Sequence, residues 1–224
     1  DKSKDIVAES SVSFYNGISR KEAEDYYSRF IQPDKKRPLS VGINSVIVKT
    51  ENGIEEKTCK IGGVYSKNIE KIVENLRKAL PYCENEKQKR HTELLISYYL
   101  TGDLKTWDDY NIEWVEENEA KVDYISGFIE TYLDPLGRKA SWEALVDVRD
   151  EDATKRCELL SQNAQWFENN CPINPLYKKS EVKGISAKVV DALCLAGDNF
   201  PSPPIGINLP NSDWIRKEYG SKSV

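Results

Sequence analysis

Few side chains in this sequence could do chemistry. Four carboxylates, Asp123, Glu130, Asp134 and Glu143, crowd residues 121–143. A hydrolase can use such paired acids to give and take a proton, with Glu130 and Glu143 as the natural pair. Charged residues on a solvated sheet face account for the same pattern, and the residues alone favour that plainer account. His91 is the only histidine in 224 residues. It opens HTELL, which places its acid one position too late for an HExxH zinc motif and lacks the second histidine, so a surface or capped helical histidine is expected. A single histidine also removes Ser-His-Asp and Cys-His mechanisms within the chain. Five scattered cysteines with no CxxC pair argue against a disulfide scaffold or a zinc ribbon, and predict reduced, mostly buried thiols. No phosphate-binding GxxxxGK[ST] pattern is present, and Gly62-Gly63 reads as a turn.

A second candidate is PPIGINLPNSDW, residues 203–214. Its prolines exclude a helix and a central strand, while Ile205 to Leu209 between them has the character of an edge strand. An edge with free backbone groups can accept an extended peptide as its next strand, with Asn208, Asn211 and Asp213 gripping the ends. A Pro-bounded loop with asparagine turns fits the same residues, and on composition alone it is the stronger reading.

The elements that must position these groups are legible in part. SRKEAEDYYSRF (19–30) predicts a helix capped by Ser19, with Tyr26, Tyr27 and Phe30 facing a core. Strands at 45–50 and 54–61 flank Asn52-Gly53, a dipeptide suited to a tight hairpin. From Ser66, the spacing of Ile69, Ile72, Val73, Leu76, Ala79 and Leu80 is helical. A further helix follows Pro81 and stops at Gly102. IEWV (112–115) and KVDYISGFIETYL (121–133) predict strands, which puts a seam near 102–111. Residues 150–167 predict one helix capped by Asp150, with Ala153, Cys157, Leu160, Ala164 and Phe167 as its apolar stripe. EVKGISAKVVDALCLAGD predicts a strand followed by a helix. The fold class is α+β: a mainly helical region over 1–101 with a hairpin at 45–61, then a mixed, β-rich region with flanking helices over 102–224.

Thirty-two basic against thirty-seven acidic residues, well interspersed, give a net charge of −5 and disfavour nucleic acid as a partner. No apolar run approaches the roughly 20 residues of a membrane span, so a soluble protein is expected, the cytoplasm slightly favoured over the periplasm. The sequence starts at Asp1 and contains no methionine, which reads as a processing boundary with any targeting signal already removed.

Three segments together, GFIETYLDPLG (127–137), WEALV (142–146) and GINLPNSDWIR (206–216), resemble in order and spacing the zinc-dependent dipeptidyl peptidase III family, in its bacterial branch. The wider run from Thr101 to Val224 is similar to that branch as well, and residues 1–60 match more loosely. The resemblance implies a two-lobed metallopeptidase in which an extended peptide pairs with a strand of the lower lobe. Gly206, Ile207 and Asn208 would belong to that strand, Asn208 and Asn211 would hydrogen-bond the substrate's N-terminal part, and Asp213 would be a weaker contact. Glu130 would receive the free peptide amine. Tyr132 would stabilise the tetrahedral intermediate, and Glu143 occupies a further acidic family position with a structural role.

The family's zinc ligands, from HExxxH and a later EExxxE-like segment, lie downstream of the GINLPN stretch, so the resemblance implies no metal ligand in this chain. The expectation is the substrate-binding portion of a dipeptidyl peptidase acting on short peptides. Zinc would belong to the parent enzyme, the remainder of the parent polypeptide would be the partner, and this chain alone would be inactive. A non-catalytic peptide-binding module using the same edge strand, and a carboxylate hydrolase using Glu130 and Glu143, remain the alternatives.

Overall fold

The computed structural model describes residues 4–182 and 185–224. At the N-terminal end, β1 (Tyr15–Asn16) lies parallel to β2 (Ser45–Thr50), which pairs antiparallel with β3 (Gly53–Thr58). The hairpin turns at Asn52-Gly53, where Gly53 takes φ 115°, a backbone that side chains strain to adopt. Across this sheet packs α1 (Arg20–Ser28), opened by a reciprocal capping box between Ser19 and Glu22. Tyr27 is buried there, but Phe30 lies past the end of α1 and is 45 % exposed, contrary to the sequence expectation.

Three helices follow: α2 (Ser66–Ala79), α3 (Glu86–Thr101) and α4 (Leu104–Glu116). Gly102 ends α3 with φ 72°, as its sequence position predicts. The strand expected at IEWV is instead the last turn of α4. Asp103 caps α4 by accepting from the Thr106 amide at 2.7 Å, and Trp107, Tyr110, Asn111 and Trp114 bury one helical face. Local β propensity yields there to the capping residue and to packing against α3.

The central sheet has order β4-β5-β7, all antiparallel: β4 (Val122–Glu130), β5 (Ser141–Arg149) and β7 (Val190–Gly197). Here EVKGISAKVVDALCLAGD departs from expectation: its second half is strand β7, because an open edge of β5 offers the Ala/Leu-rich segment backbone partners, and Lys183 and Gly184 lie outside the described residues. Between β5 and β7, the expected single helix is two, α5 (Glu151–Gln162) and α6 (Ala164–Asn170). At the break the Asn163 amide nitrogen donates to the Leu159 carbonyl at 2.7 Å and competes with the helical ladder. Of the expected stripe only Ala153 is buried, with Leu160 and Phe167 exposed. A third sheet, order β6-β9-β8, joins β6 (Ile185–Ala187), β9 (Ser221–Ser223) and β8 (Asn208–Leu209), with α7 (Asp213–Glu218) between the last two in sequence.

One hydrophobic cluster links these layers, drawing in Ile69 and Val73 of α2, Leu95 and Tyr99 of α3, Trp107 and Trp114 of α4, Ile125, Phe128 and Leu145 of the central sheet, and Leu209 of β8. β4 approaches α4 so closely that a Cβ on Gly127 would stand 2.4 Å from Trp107. Thiol burial is less than expected: all five cysteines are free, but only Cys59 is buried and Cys194 is exposed.

The carboxylates expected on a solvated face are mostly inside: Asp123, Asp134 and Glu143 are each no more than 5 % exposed. Asp134 closes the turn from β4 to β5, accepting from the amides of Leu136, Arg138 and Lys139 at 3.0, 2.8 and 2.7 Å and from the Tyr15 hydroxyl at 2.8 Å. Its neighbour Lys139 is fully buried and donates to the Tyr27 hydroxyl at 2.6 Å and to the Ser45 carbonyl at 2.9 Å. His91, expected at the surface, is fully buried between the rings of Tyr110 and Tyr124, and neither ring nitrogen has a hydrogen-bond partner. That burial lowers its pKa from 6.5 to about 4.

Two outcomes follow. Asp134→Ala leaves a buried hydroxyl and three turn amides unpaired and should cost about 2–4 kcal/mol in urea unfolding. Because the folded pKa of His91 is depressed, its contribution to stability is present above pH 6.5 and is lost as pH falls toward 4. The stability difference between the native protein and His91→Phe should therefore move against the native protein across that window, and a pH-independent difference would contradict the assignment.

Candidate functional site

A cavity of about 510 Å³ opens between α4, the end of β4 and the segment after β8. One wall is the face of α4 that carries Trp107, Asp108, Asn111 and Trp114, residues that fall on the same side at helical spacing. The floor is β4. Its pairing with β5 skips Ile129, so that Phe128 faces Trp142 and Glu130 faces Ser141. This irregularity buries Phe128 and Ile129 in succession and leaves Glu130 at the cavity rim. Leu209, Pro210, Asn211 and Ser212 form the opposite wall, and Arg138 reaches in from the β4–β5 turn.

Of the residues singled out in the sequence, Glu130, Tyr132 and Asn211 come together around this cavity. The Tyr132 ring is 83 % exposed, and its hydroxyl pKa is raised, first by a hydrogen bond with the Glu130 carboxylate. Glu143 lies behind Glu130 on β5 and is not part of the lining. Its carboxyl is pushed up to about 7, mainly by burial, then by the charges of Glu130 and Asp198. Glu143 therefore keeps its proton to near neutrality beside a half-buried partner.

Gly206, Ile207 and Asn208 do not line the cavity; they lead in sequence to Leu209, which does. The strand itself is shorter than the sequence implies: only Asn208 and Leu209 are strand, Ile207 exchanges a hydrogen-bond pair with Val224, and Ile205 is fully exposed. One side of β8 is taken by β9. As the end strand of its sheet it has no strand partner on the other side among the described residues, so half of the expected open edge is there. Asp213 starts α7, exposed and outside the cavity lining.

Sequence reasoning missed Trp107, Asp108, Asn111 and Arg138. Asp108 is 5 % exposed, and burial first, then the charge of Asp109, raises its pKa to about 7. The signal was available in the i, i+4, i+7 spacing of Trp107, Asn111 and Trp114, had residues 104–116 been read as helix. Among the described residues no group of three or more His, Cys, Asp or Glu side chains converges as a metal site.

The pattern of Peptidase family M49 matches residues 3–224. The dipeptidyl peptidase 3 of Dictyostelium discoideum is 31 % identical over 162 residues, 72 % of this chain and 23 % of that protein. The solved dipeptidyl-peptidase III from Corallococcus sp. strain EGB superposes with a TM-score of 0.76 at 26 % identity, over 94 % of this chain and 39 % of that one. DPP III from Caldithrix abyssi shares the fold with a TM-score of 0.78 at 23 % identity, over 95 % of this chain and 40 % of that one. The chain thus spans about a quarter of the length of the curated relative and two-fifths of the solved ones. With a family pattern running through nearly its whole length and the corresponding fold, the chain belongs to peptidase family M49.

Proposed function

We propose that this chain is the substrate-holding portion of a zinc-dependent dipeptidyl peptidase that releases dipeptides from the N-termini of short peptides. The observation that carries the reading is the meeting of Glu130, Tyr132 and Asn211 at one cavity, whose lining also takes in Leu209 of the end strand β8. A peptide laid beside β8 would satisfy backbone groups that no strand now takes. Glu130 at the cavity rim would receive its ammonium group, and the distance from that carboxylate to the reacting bond would set the length of the product. The arriving ammonium would compete with the Tyr132 hydroxyl for Glu130, which frees the hydroxyl to donate to charge developing on a substrate carbonyl.

Asn208 and Asn211 would hold the peptide backbone, Gly206 and Ile207 would extend the edge, and Asp213 would contribute at most from the surface. Zinc in this reading is a cofactor of the whole enzyme and supplies the hydrolytic chemistry from residues outside this chain. The residues here bind, orient and measure, so the chain alone would cleave nothing. No helix among the described residues is long and apolar enough to cross a membrane, and a cytoplasmic enzyme is the proposed setting.

The raised pKa of Glu143 beside Glu130 favours one competing reading, a hydrolase working with these two carboxyls alone. Hydrolysis of a dipeptidyl arylamide, with and without a chelator, separates the two. Chelator-sensitive cleavage by the whole protein and none by this chain is the expected result. Chelator-insensitive cleavage by this chain would establish the carboxylate enzyme instead. Within the whole protein, Glu130→Gln should lower kcat/KM roughly 100-fold, the loss of about 3 kcal/mol from one charge-assisted contact. Asn208→Ala with Asn211→Ala should mainly raise KM; unchanged kinetics would refute the assigned roles.

A further inference from the structure

The strand that carries the proposed peptide edge is two residues long and cannot hold its own place. Its only strand neighbour among the described residues is β9, through the pairs Asn208↔Ser223 and Leu209↔Lys222 and the reciprocal bonds between Ile207 and Val224 at 2.7 and 2.9 Å. β9 is three residues long and its other neighbour, β6, is equally short, so beyond that ladder its position rests on what its side chains grip.

Lys222 is that grip. Its side chain is fully buried, its ammonium lies 3.0 Å from the Asp123 carboxylate of β4, and it stands 4.2 Å over the ring of Trp114. Asp123 is fixed on its other oxygen by the Trp114 indole N–H at 3.1 Å and by the Tyr124 amide at 2.8 Å. Trp114 and Leu209 both line the cavity, from opposite walls. Lys222 is therefore paired across the ladder with one wall and in cation–π contact with the other.

We propose that Lys222 is a positioning residue for the peptide edge: by binding Asp123 and Trp114 it sets the depth of β9, and through β9 it sets where β8 presents its free side relative to Glu130. The proposal rests on the reading of β8 as the peptide-pairing strand. It adds a residue that touches no substrate yet fixes the spacing between edge and carboxylate.

The test uses the whole protein and two variants, Lys222→Met and the double variant Lys222→Met with Asp123→Asn. The single variant leaves a buried carboxylate without its cation and risks failing to fold. The double variant removes both charges, keeps an oxygen for the Trp114 indole and recovers the stability that an orphaned charge would cost. Two quantities are read on the folded double variant: hydrogen exchange at the Ile207 and Val224 amides, and KM and kcat for a peptide substrate.

Exchange at both amides is expected to accelerate about tenfold or more while amides of the β4–β5 pair keep their protection. KM is expected to rise about tenfold with kcat within about twofold of the native value, the mark of lost uniform binding rather than of a smaller folded fraction. Unchanged exchange at Ile207 and Val224 overturns the positioning role. Accelerated exchange with unchanged KM also overturns the proposal, and shows that the fault lies in reading β8 as the peptide strand rather than in the Lys222 contact. A fall in kcat with unchanged KM, in step with the fraction unfolded, reduces Lys222 to a stabilising residue and overturns it too.

Discussion

The carboxylate of Asp134 is the contact on which the arrangement of this chain depends. It gathers three backbone amides of its own turn and the hydroxyl of Tyr15, which is 119 positions away in sequence. A carboxylate with so many donors is well satisfied inside the protein, and the donors lose their freedom in return. The turn it closes joins β4 to β5, and Glu130 and Tyr132 stand at the start of that turn. Lys139, five residues further along in the same turn region, anchors in the opposite direction on Tyr27 and Ser45. The N-terminal sheet and α1 thus brace the piece of backbone that aims the cavity's acidic rim.

The buried ionic groups fall into two kinds. Lys222 and Lys139 are fully buried amines with partners, and removing one partner from such a buried pair costs roughly 3–5 kcal/mol because a charge is then stranded. Asp108, Glu143 and Asp147 form no ion pair among the described residues, and burial raises each to about 7. These three answer the same low-polarity surroundings by holding a proton instead of an ion. The interior therefore carries both solutions to the cost of charge, the paired one at Lys222 and Lys139 and the protonated one at Asp108, Glu143 and Asp147.

The parts of the fold with strong local signals were legible from sequence: the Ser19 capping box, the Asn52-Gly53 hairpin, the amphipathic spacing of α2 and the Gly102 stop of α3. The parts decided by distant partners were not. IEWV has β-forming residues, yet Trp114 and Val115 complete a helical face that packs on α3, while the Ala/Leu-rich VDALCLAG becomes a strand because β5 offers it an open ladder. Of the residues around the cavity, Glu130 and Asn211 were already candidates from the residues themselves, and Tyr132 rested on family resemblance alone. Asp108 and Lys222 gave no signal at all, because an Asp in a run of acids and a lone Lys near a Gly and two serines read as solvated surface until the fold encloses them.

An open strand edge invites any extended chain, including another copy of the same protein. Here Pro204 precedes the edge and Pro210 follows it at once, so no ladder can lengthen in either direction. A copy offering a rigid, folded strand would find only two residues to pair with, too few to repay the loss of its freedom. In the proposed reading, a short flexible peptide with an amine to deliver would have a second anchor nearby. The brevity of β8 would then act as a filter against self-association, admitting ligands that bring an end as well as an edge.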